Sequence, residues 1–159
     1  MSGATIITAL IAFLHDLATV VWIGALISLA LITMPAVKKV LGKSLEVAKV
    51  QQEIQNRQRP WVFGSLVVLI LTGMLLARRN PAFGGLFSMA NPYSIVMSIK
   101  HILVILMAAI AIYRSAAFGK GSAAGNPTRQ KWSARLMLAN LILGVGVLLL
   151  SGFSSALSA

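Results

Sequence analysis

The chain of 159 residues contains no cysteine. Disulfides, thiolate-ligated metals, iron–sulfur clusters and covalently attached c-type haem are therefore excluded. Acidic residues are nearly absent too, because three aspartates and glutamates stand against 14 lysines and arginines. Only Asp16 among the three acids lies in an apolar run. Hydrolytic chemistry of the kind that soluble enzymes perform is therefore not expected.

Charge of either sign is scarce, since charged residues make up 11% of the chain and hydrophobic residues 58%. Globular proteins carry about 25% charged residues. With a mean hydropathy of +0.87, the composition predicts an integral membrane protein. The net charge of +11 does not indicate a nucleic-acid partner, because the basic residues cluster in loops between apolar runs, where they set membrane topology.

Four apolar segments are each long enough to cross a hydrocarbon core of about 30 Å. They span about residues 5–37, 60–77, 92–113 and 133–153, and Pro60 suits the first turn of the second helix. The N-terminus lacks the basic n-region of a signal peptide, so the first run is expected to be retained. The sequence predicts one domain over residues 1–159: an all-α, up-down-up-down bundle of four transmembrane helices.

The loops predict the orientation of this bundle. Basic residues concentrate in loops 38–59 and 114–135, while the termini carry none. The positive-inside rule then places both termini outside and both basic loops in the cytoplasm, which predicts a multi-pass protein of the cytoplasmic (inner) membrane. Apolar residues at helical spacing predict that the 38–59 loop is helical, either continuing the first span or lying along the lipid headgroups. The 119–128 loop has the composition of a flexible linker, and the 80–92 loop is rich in turn residues.

The only two histidines, His15 and His101, both lie in membrane-spanning runs, where ionisable residues are costly and mark functional sites. The first and third helices run in the same direction. Each histidine lies about nine or ten residues into its span, a depth of about 14 Å at 1.5 Å per residue. Two imidazoles at one depth on parallel helices are the usual axial ligands of b-type haem. We therefore expect one bis-histidine haem near the outer face.

Other residues fit around such a haem. Trp22 shares a helix face with His15 and would pack on the macrocycle, while Thr19 would hold a ring N–H or a polar ligand edge. Outer-side cations would contact the propionates, namely Arg78, Arg79 and Lys100. Asp16 is a candidate partner for Lys100 across the bundle. A plainer interpretation makes these residues snorkelling neighbours at the membrane interface.

A copper site competes for the same residues. Met97 precedes His101 by four positions, which puts thioether and imidazole on one helix face. Met74 and Met89 lie near the same membrane side, and thioether with imidazole suits Cu(I). The alternative copper ligands are thus His15, His101, Met97 and Met74. Methionine is also ordinary filler in apolar helices, so each thioether has a packing explanation.

Several short motifs resemble a known family. They are His15 followed by Trp22-Ile23-Gly24, then Leu71-Thr72-Gly73, Asn91-Pro92-Tyr93, Lys100 and Tyr113-Arg114. Over about residues 10–118 they resemble CopD-like copper-resistance membrane proteins, which look related to HemJ-type protoporphyrinogen oxidases. The latter resemblance implies functional roles for His15 and Lys100. The chain departs from the HemJ pattern at Met34-Pro35-Ala36, which lacks an arginine, and at His101.

Three functions follow as hypotheses. The first is a membrane-embedded haem b protein that transfers electrons or performs a redox step with quinol, a porphyrinogen or a partner protein. The second is CopD-like copper handling across or into the membrane. The third is a non-catalytic accessory subunit of a larger complex, and a homo-oligomer is compatible with all three. The substrate and the role of Lys100 stay open at this point.

Overall fold

The structure, a computed structural model, describes residues 2–42, 45–80, 84–118 and 127–157. In these ranges the chain forms helices and turns and no strand. The helices are α1 (Gly3–Ile27), a π-helical segment (Ser28–Thr33), α2 (Met34–Leu41), α3 (Leu45–Arg79), α4 (Pro92–Phe118) and α5 (Pro127–Leu157).

Four helical stretches are long and apolar enough to cross a membrane. The first joins α1, the π-helical segment and α2 into one stretch, Gly3–Leu41, and the others are Glu46–Arg79, Pro92–Ala117 and Thr128–Leu157. The predicted fold class, an all-α membrane protein with four transmembrane helices, is confirmed.

Polar caps and glycine define several helix ends. The side chain of Ser2 accepts a hydrogen bond from the Thr5 N–H at 3.3 Å, and Asn91 Oδ1 accepts one from the Ser94 N–H at 2.7 Å. These bonds satisfy donors that the first turn of a helix leaves free. Helix α2 ends at Gly42, whose φ of 65° is disfavoured for residues with a Cβ.

The first membrane-spanning stretch widens into a π-helix just before Pro35. A proline in a helix lacks an N–H and its ring clashes with the carbonyl four residues earlier, here that of Leu31. Hydrogen bonds before the proline therefore span five residues instead of four. The Met34 N–H donates to the carbonyl of Leu29, and the Thr33 hydroxyl donates to the carbonyl of Ser28 at 3.0 Å. The wider turn thus carries the helix through the proline.

The basic segment 38–59 is helical within the described residues, but it divides between two helices. Its first part ends α2, while residues 45–59 begin α3 and continue the second span. The expectation that Pro60 stands in a first helical turn is therefore wrong, because Pro60 lies inside α3. Most of the predicted 119–128 linker lies outside the described residues.

The bundle is built from two closely packed antiparallel pairs, α1 with α3 and α4 with α5, and α1 also contacts α5. Its largest buried cluster joins all four membrane-spanning stretches through Trp22, Ile23, Leu26, Leu66, Met107, Leu141 and Val147. Much of the remaining apolar surface faces outward, as a lipid solvent allows. The core therefore lies where α1, α4 and α5 converge on Trp22 and Met107.

Two side-chain contacts set the register of α1 against α3. Arg79 donates to the hydroxyl of Thr8, and His15 Nδ1 lies 2.9 Å from Thr72 Oγ1. The two contacts are seven residues apart on each helix, or about two turns. Hydrogen bonds thus connect the antiparallel pair at two levels.

Gly144 of α5 gives a test of this packing. A Cβ there would lie 3.3 Å from Met107 Cε and 3.6 Å from Ile23. We expect Gly144→Leu to overpack the contact between α1, α4 and α5 and to destabilise the protein by about 1–3 kcal/mol. Thermal unfolding in detergent measures the effect. The control is Gly152→Leu on the same helix, where no atom lies within 4 Å of the added Cβ; equal losses in both variants would contradict the packing described.

Candidate functional site

His15 of α1 is held against α3 by Thr72. The distance from His15 Nδ1 to Thr72 Oγ1 is 2.9 Å, and Thr72 itself is buried, with 6% of its surface exposed. The neighbouring Gly73 lets the imidazole approach closely, because a Cβ there would lie 3.4 Å from His15 Cε1. The Thr72-Gly73 pair therefore forms the wall on which the imidazole rests.

The direction of the bond between His15 and Thr72 follows from the other contacts of Thr72. The Thr72 hydroxyl has one proton, and it donates that proton to the carbonyl of Val68 at 2.6 Å. Toward the imidazole the hydroxyl oxygen can then only accept, so His15 Nδ1 carries the proton. The unprotonated nitrogen of the neutral ring is Nε2, whose lone pair is available to a metal ion.

His101 of α4 adopts the same tautomer by a different route. Its Nδ1 lies 2.6 Å from the carbonyl oxygen of Met97, one helical turn earlier. A carbonyl oxygen only accepts, so Nδ1 of His101 is also the protonated nitrogen. Each histidine thus presents Nε2 as its basic nitrogen while a bond within the protein orients the ring, which is the usual arrangement of metal-ligating histidines.

Two charged residues act on these histidines. The ammonium group of Lys100 interacts electrostatically with His15 and with Asp16, and also with its neighbour His101. The carboxylate of Asp16 acts on His15 with the opposite sign. A cation near His15 is therefore repelled by Lys100 and attracted by Asp16.

The structure brings together only part of the predicted haem site. The described residues show no histidine pair of the kind that a bis-histidine haem needs, and the close neighbour of α1 is α3 rather than α4. The equal depth of His15 and His101 in the membrane does not determine the direction in which each imidazole points. The haem b hypothesis is not supported by this geometry.

The predicted surroundings of the haem are dispersed as well. The hydroxyl of Thr19 donates to the backbone carbonyl of His15 at 2.9 Å. Trp22 is buried in the main core with 2% of its surface exposed. Arg78 and Arg79 lie exposed at the end of α3, where Arg79 bonds to Thr8.

The methionines of the copper alternative lie on two helices. Met97 is half-buried on α4 one turn from His101, whose imidazole bonds to its backbone carbonyl. Met74 follows Gly73 on α3 with 42% of its surface exposed, and Met89 is 77% exposed. No cluster of three or more histidine, cysteine or acidic side chains that could hold a metal occurs within the described residues.

A second polar region lies farther along the bundle, toward the end that carries the basic segments. It is a cavity of about 70 Å³ between the helices. We call it the arginine cavity. Eight polar or aromatic residues contribute to its wall: Trp22, Gln55, Gln58, Arg59, Phe63, Arg114, Ser115 and Asn140.

Four residues of these two regions are not recognisable as site residues from the sequence alone: Thr72, Asn140, Arg59 and Arg114. Thr72 is not marked by its sequence context, since a hydroxyl in an apolar helix commonly bonds to its own backbone. Asn140 is a lone amide within an apolar run of the fourth span, a position that itself indicates function. The adjacency of Arg59 and Arg114 has no signal in a single sequence, because 54 residues separate them.

The bond between His15 and Thr72 can be tested by removing its acceptor. Thr72→Val keeps the shape of the side chain but leaves Nδ1 of His15 without a partner. Hydrogen bonds between membrane helices contribute about 0.6–2 kcal/mol, and we expect the variant to lose about that much unfolding free energy in detergent. Thr72→Ser retains the hydroxyl and is the matched control. Equal stability of the valine variant and the wild type would show that the bond does not form.

Comparison with known proteins identifies a family. The family model described as CopD, copper resistance protein D, matches residues 52–154, which is 103 of the 159 residues. It covers most of α3 and continues through α4 into α5, whereas His15 and Trp22 precede the matched segment. No match was found among curated proteins or among solved structures. The chain is a multi-pass membrane protein that belongs to the copper resistance protein D (CopD) family.

Proposed function

We propose that this protein handles copper within the membrane and that Cu(I) is its cargo. Membership of the CopD family supports copper. The structural observation that supports the chemistry is the bond from His15 Nδ1 to Thr72, which leaves the Nε2 lone pair free for a metal ion. Imidazole nitrogen and thioether sulfur are both suitable ligands for copper, and thioether favours Cu(I).

The ligands belong to two positions in this proposal. On α1 the ligand is His15, supported by Thr72 and within reach of the field of Asp16. On α4 the ligands are His101 and the thioether of Met97, one helical turn apart. Met74, next to the glycine on which His15 rests, is the candidate thioether on α3. Transfer between weak sites requires that each site both accepts and releases the ion.

Lys100 has a defined effect in this scheme. It lies beside His101 in sequence and interacts electrostatically with His15. Its positive charge weakens the binding of a cation at either imidazole, whereas Asp16 strengthens binding at His15. Lys100 thus limits the affinity at both imidazoles while Asp16 partly offsets this effect at His15, a balance that suits a transfer route better than a storage site.

The predicted topology gives the route a direction. If the basic segments face the cytoplasm, as the positive-inside rule predicts, His15 and His101 lie in the outer half of the bundle. Copper would then meet the imidazoles on entering from outside. The proposed location is the cytoplasmic (inner) membrane.

Copper uptake tests the proposal directly. We expect His15→Ala and His101→Ala each to lower copper accumulation, by about tenfold or more, in vesicles that contain the protein. Thr72→Val should lower copper affinity about tenfold, because partners that orient metal ligands contribute 10–100-fold. Phe13→Ala, which removes an exposed side chain of α1, is the control. Metal content is measured by mass spectrometry.

An absorption spectrum of the purified protein supplies the contrary outcome. The proposal expects no b-type Soret or α band in either redox state. A reducible b-type spectrum that disappears in both His15→Ala and His101→Ala, together with unchanged copper uptake, would overturn copper handling and restore the haem hypothesis.

A further inference from the structure

The arginine cavity contains buried polar atoms that nothing in the described part of the chain satisfies. These atoms are Trp22 Nε1, Arg114 Nε, and both Nδ2 and Oδ1 of Asn140. Asn140 is fully buried, with 0% of its surface exposed, and Trp22 is 2% exposed. Buried polar groups without partners are rare and each calls for an explanation.

The charge of the cavity wall is one-sided. Two guanidinium groups, those of Arg59 and Arg114, line the cavity, and its described lining includes no carboxylate. Arg59 donates one hydrogen bond, from Nη2 to the backbone carbonyl of Ser115 at 3.2 Å, and this bond leaves its charge uncompensated. Both arginines are partly buried and no carboxylate lies beside them in the described lining, so the wall lacks a negative partner.

The lining also shows what the cavity would not bind. Among its described residues there is no histidine, methionine, cysteine or acidic side chain, and these are the usual protein ligands of copper. A metal cation would moreover be repelled by the two arginines. The cavity is therefore chemically different from the histidine positions proposed for copper.

We propose that the arginine cavity binds an oxyanion of the phosphate type, either free phosphate or the phosphate of an anionic lipid headgroup. Guanidinium groups match phosphate oxygens with paired N–H donors. Trp22 Nε1 and Asn140 Nδ2 add two neutral donors that currently have no acceptor. Every unpartnered donor in the cavity would thereby gain an acceptor.

The size of the cavity is compatible with such a group. A single water molecule needs about 10–15 Å³ of this kind of volume, and the cavity offers about 70 Å³. There is room for one tetrahedral oxyanion or for several waters. Waters alone could satisfy the amide and indole groups, but they would leave the two positive charges unpaired.

The fluorescence of Trp22 reports on the cavity directly. The other two tryptophans are exposed, Trp61 by 69% and Trp132 by 55%, so the double variant Trp61→Phe/Trp132→Phe leaves Trp22 as the sole emitter. This variant is titrated with inorganic phosphate in a neutral detergent, with chloride at equal ionic strength as the comparison. We expect a saturable change of emission with phosphate and none with chloride.

Nanodiscs distinguish the two sources of the phosphate group. In discs of phosphatidylcholine alone, free phosphate should still change the Trp22 emission. If an anionic headgroup is the ligand, discs that include phosphatidylglycerol should show the changed emission already, and added phosphate should have no further effect. Absence of any response to both phosphate and phosphatidylglycerol would overturn the proposal and leave water as the content of the cavity.

Charge variants supply the matched control. Arg59→Gln should weaken the response to phosphate tenfold or more. The control is Arg57→Gln, which removes the same charge two residues earlier in the chain. Arg57 is exposed and pairs with Glu53, so this variant should have no effect. Asn140→Asp places a carboxylate among the guanidiniums and should abolish the response while the protein stays folded. Equal effects of Arg57→Gln and Arg59→Gln, or an unchanged response in Asn140→Asp, would overturn the proposal. None of these measurements involves copper, so their results do not depend on whether the proposed function is correct.

Discussion

A polar side chain inside a membrane-spanning bundle can bond only to the bundle or to what the bundle encloses, because lipid offers no partner. This constraint explains most of the polar contacts seen here. Thr72, Ser65 and Ser151 each donate to the carbonyl four residues earlier. His15 uses the remaining acceptor capacity of Thr72, and His101 uses a carbonyl of its own helix. Where the constraint is not met, at Asn140 and Trp22, a ligand is the natural explanation.

The constraint separates the molecule into two polar regions with different chemistry. One holds neutral imidazoles and opposite charges, which suits a soft cation, and the other holds uncompensated guanidiniums, which suits an anion. Helix α1 contributes to both through His15 and Trp22, which are seven residues apart and thus on one helix face. The CopD match begins only at residue 52, so α1 lies outside the matched segment. It contributes the imidazole of His15 to the histidine region and the indole of Trp22 to the arginine cavity.

Hydropathy predicted the architecture well because a membrane span depends on length and composition alone. The sequence suggested Asp16 as a partner of Lys100, and the two groups interact electrostatically. The pairing of His15 with His101 was not supported, because depth fixes only one coordinate of a side chain while helix rotation turns it by about 100° per residue. The choice of α3 as the close neighbour of α1 depends on packing that no single residue reveals.

Residues that act through another residue were the hardest to predict. Thr72 matters because its only proton is already used by Val68, and Arg114 matters because Arg59 lies across the same cavity. Trp22 was expected beside a cofactor of His15, yet it forms the core and one wall of the arginine cavity. The residues that these side chains face, His15 for Thr72 and Arg59 for Arg114, are distant in sequence.

The proposed function depends on the binding of copper in the membrane by the Nε2 atoms of the oriented imidazoles. X-ray absorption at the copper edge of the purified protein loaded with Cu(I) tests it most directly, because the spectrum distinguishes imidazole from thioether scattering. We expect imidazole nitrogen and thioether sulfur in the wild type, with the imidazole contribution reduced in His15→Ala and in His101→Ala. A copper coordination shell without imidazole nitrogen, or one that is identical in both variants and the wild type, would contradict this coordination.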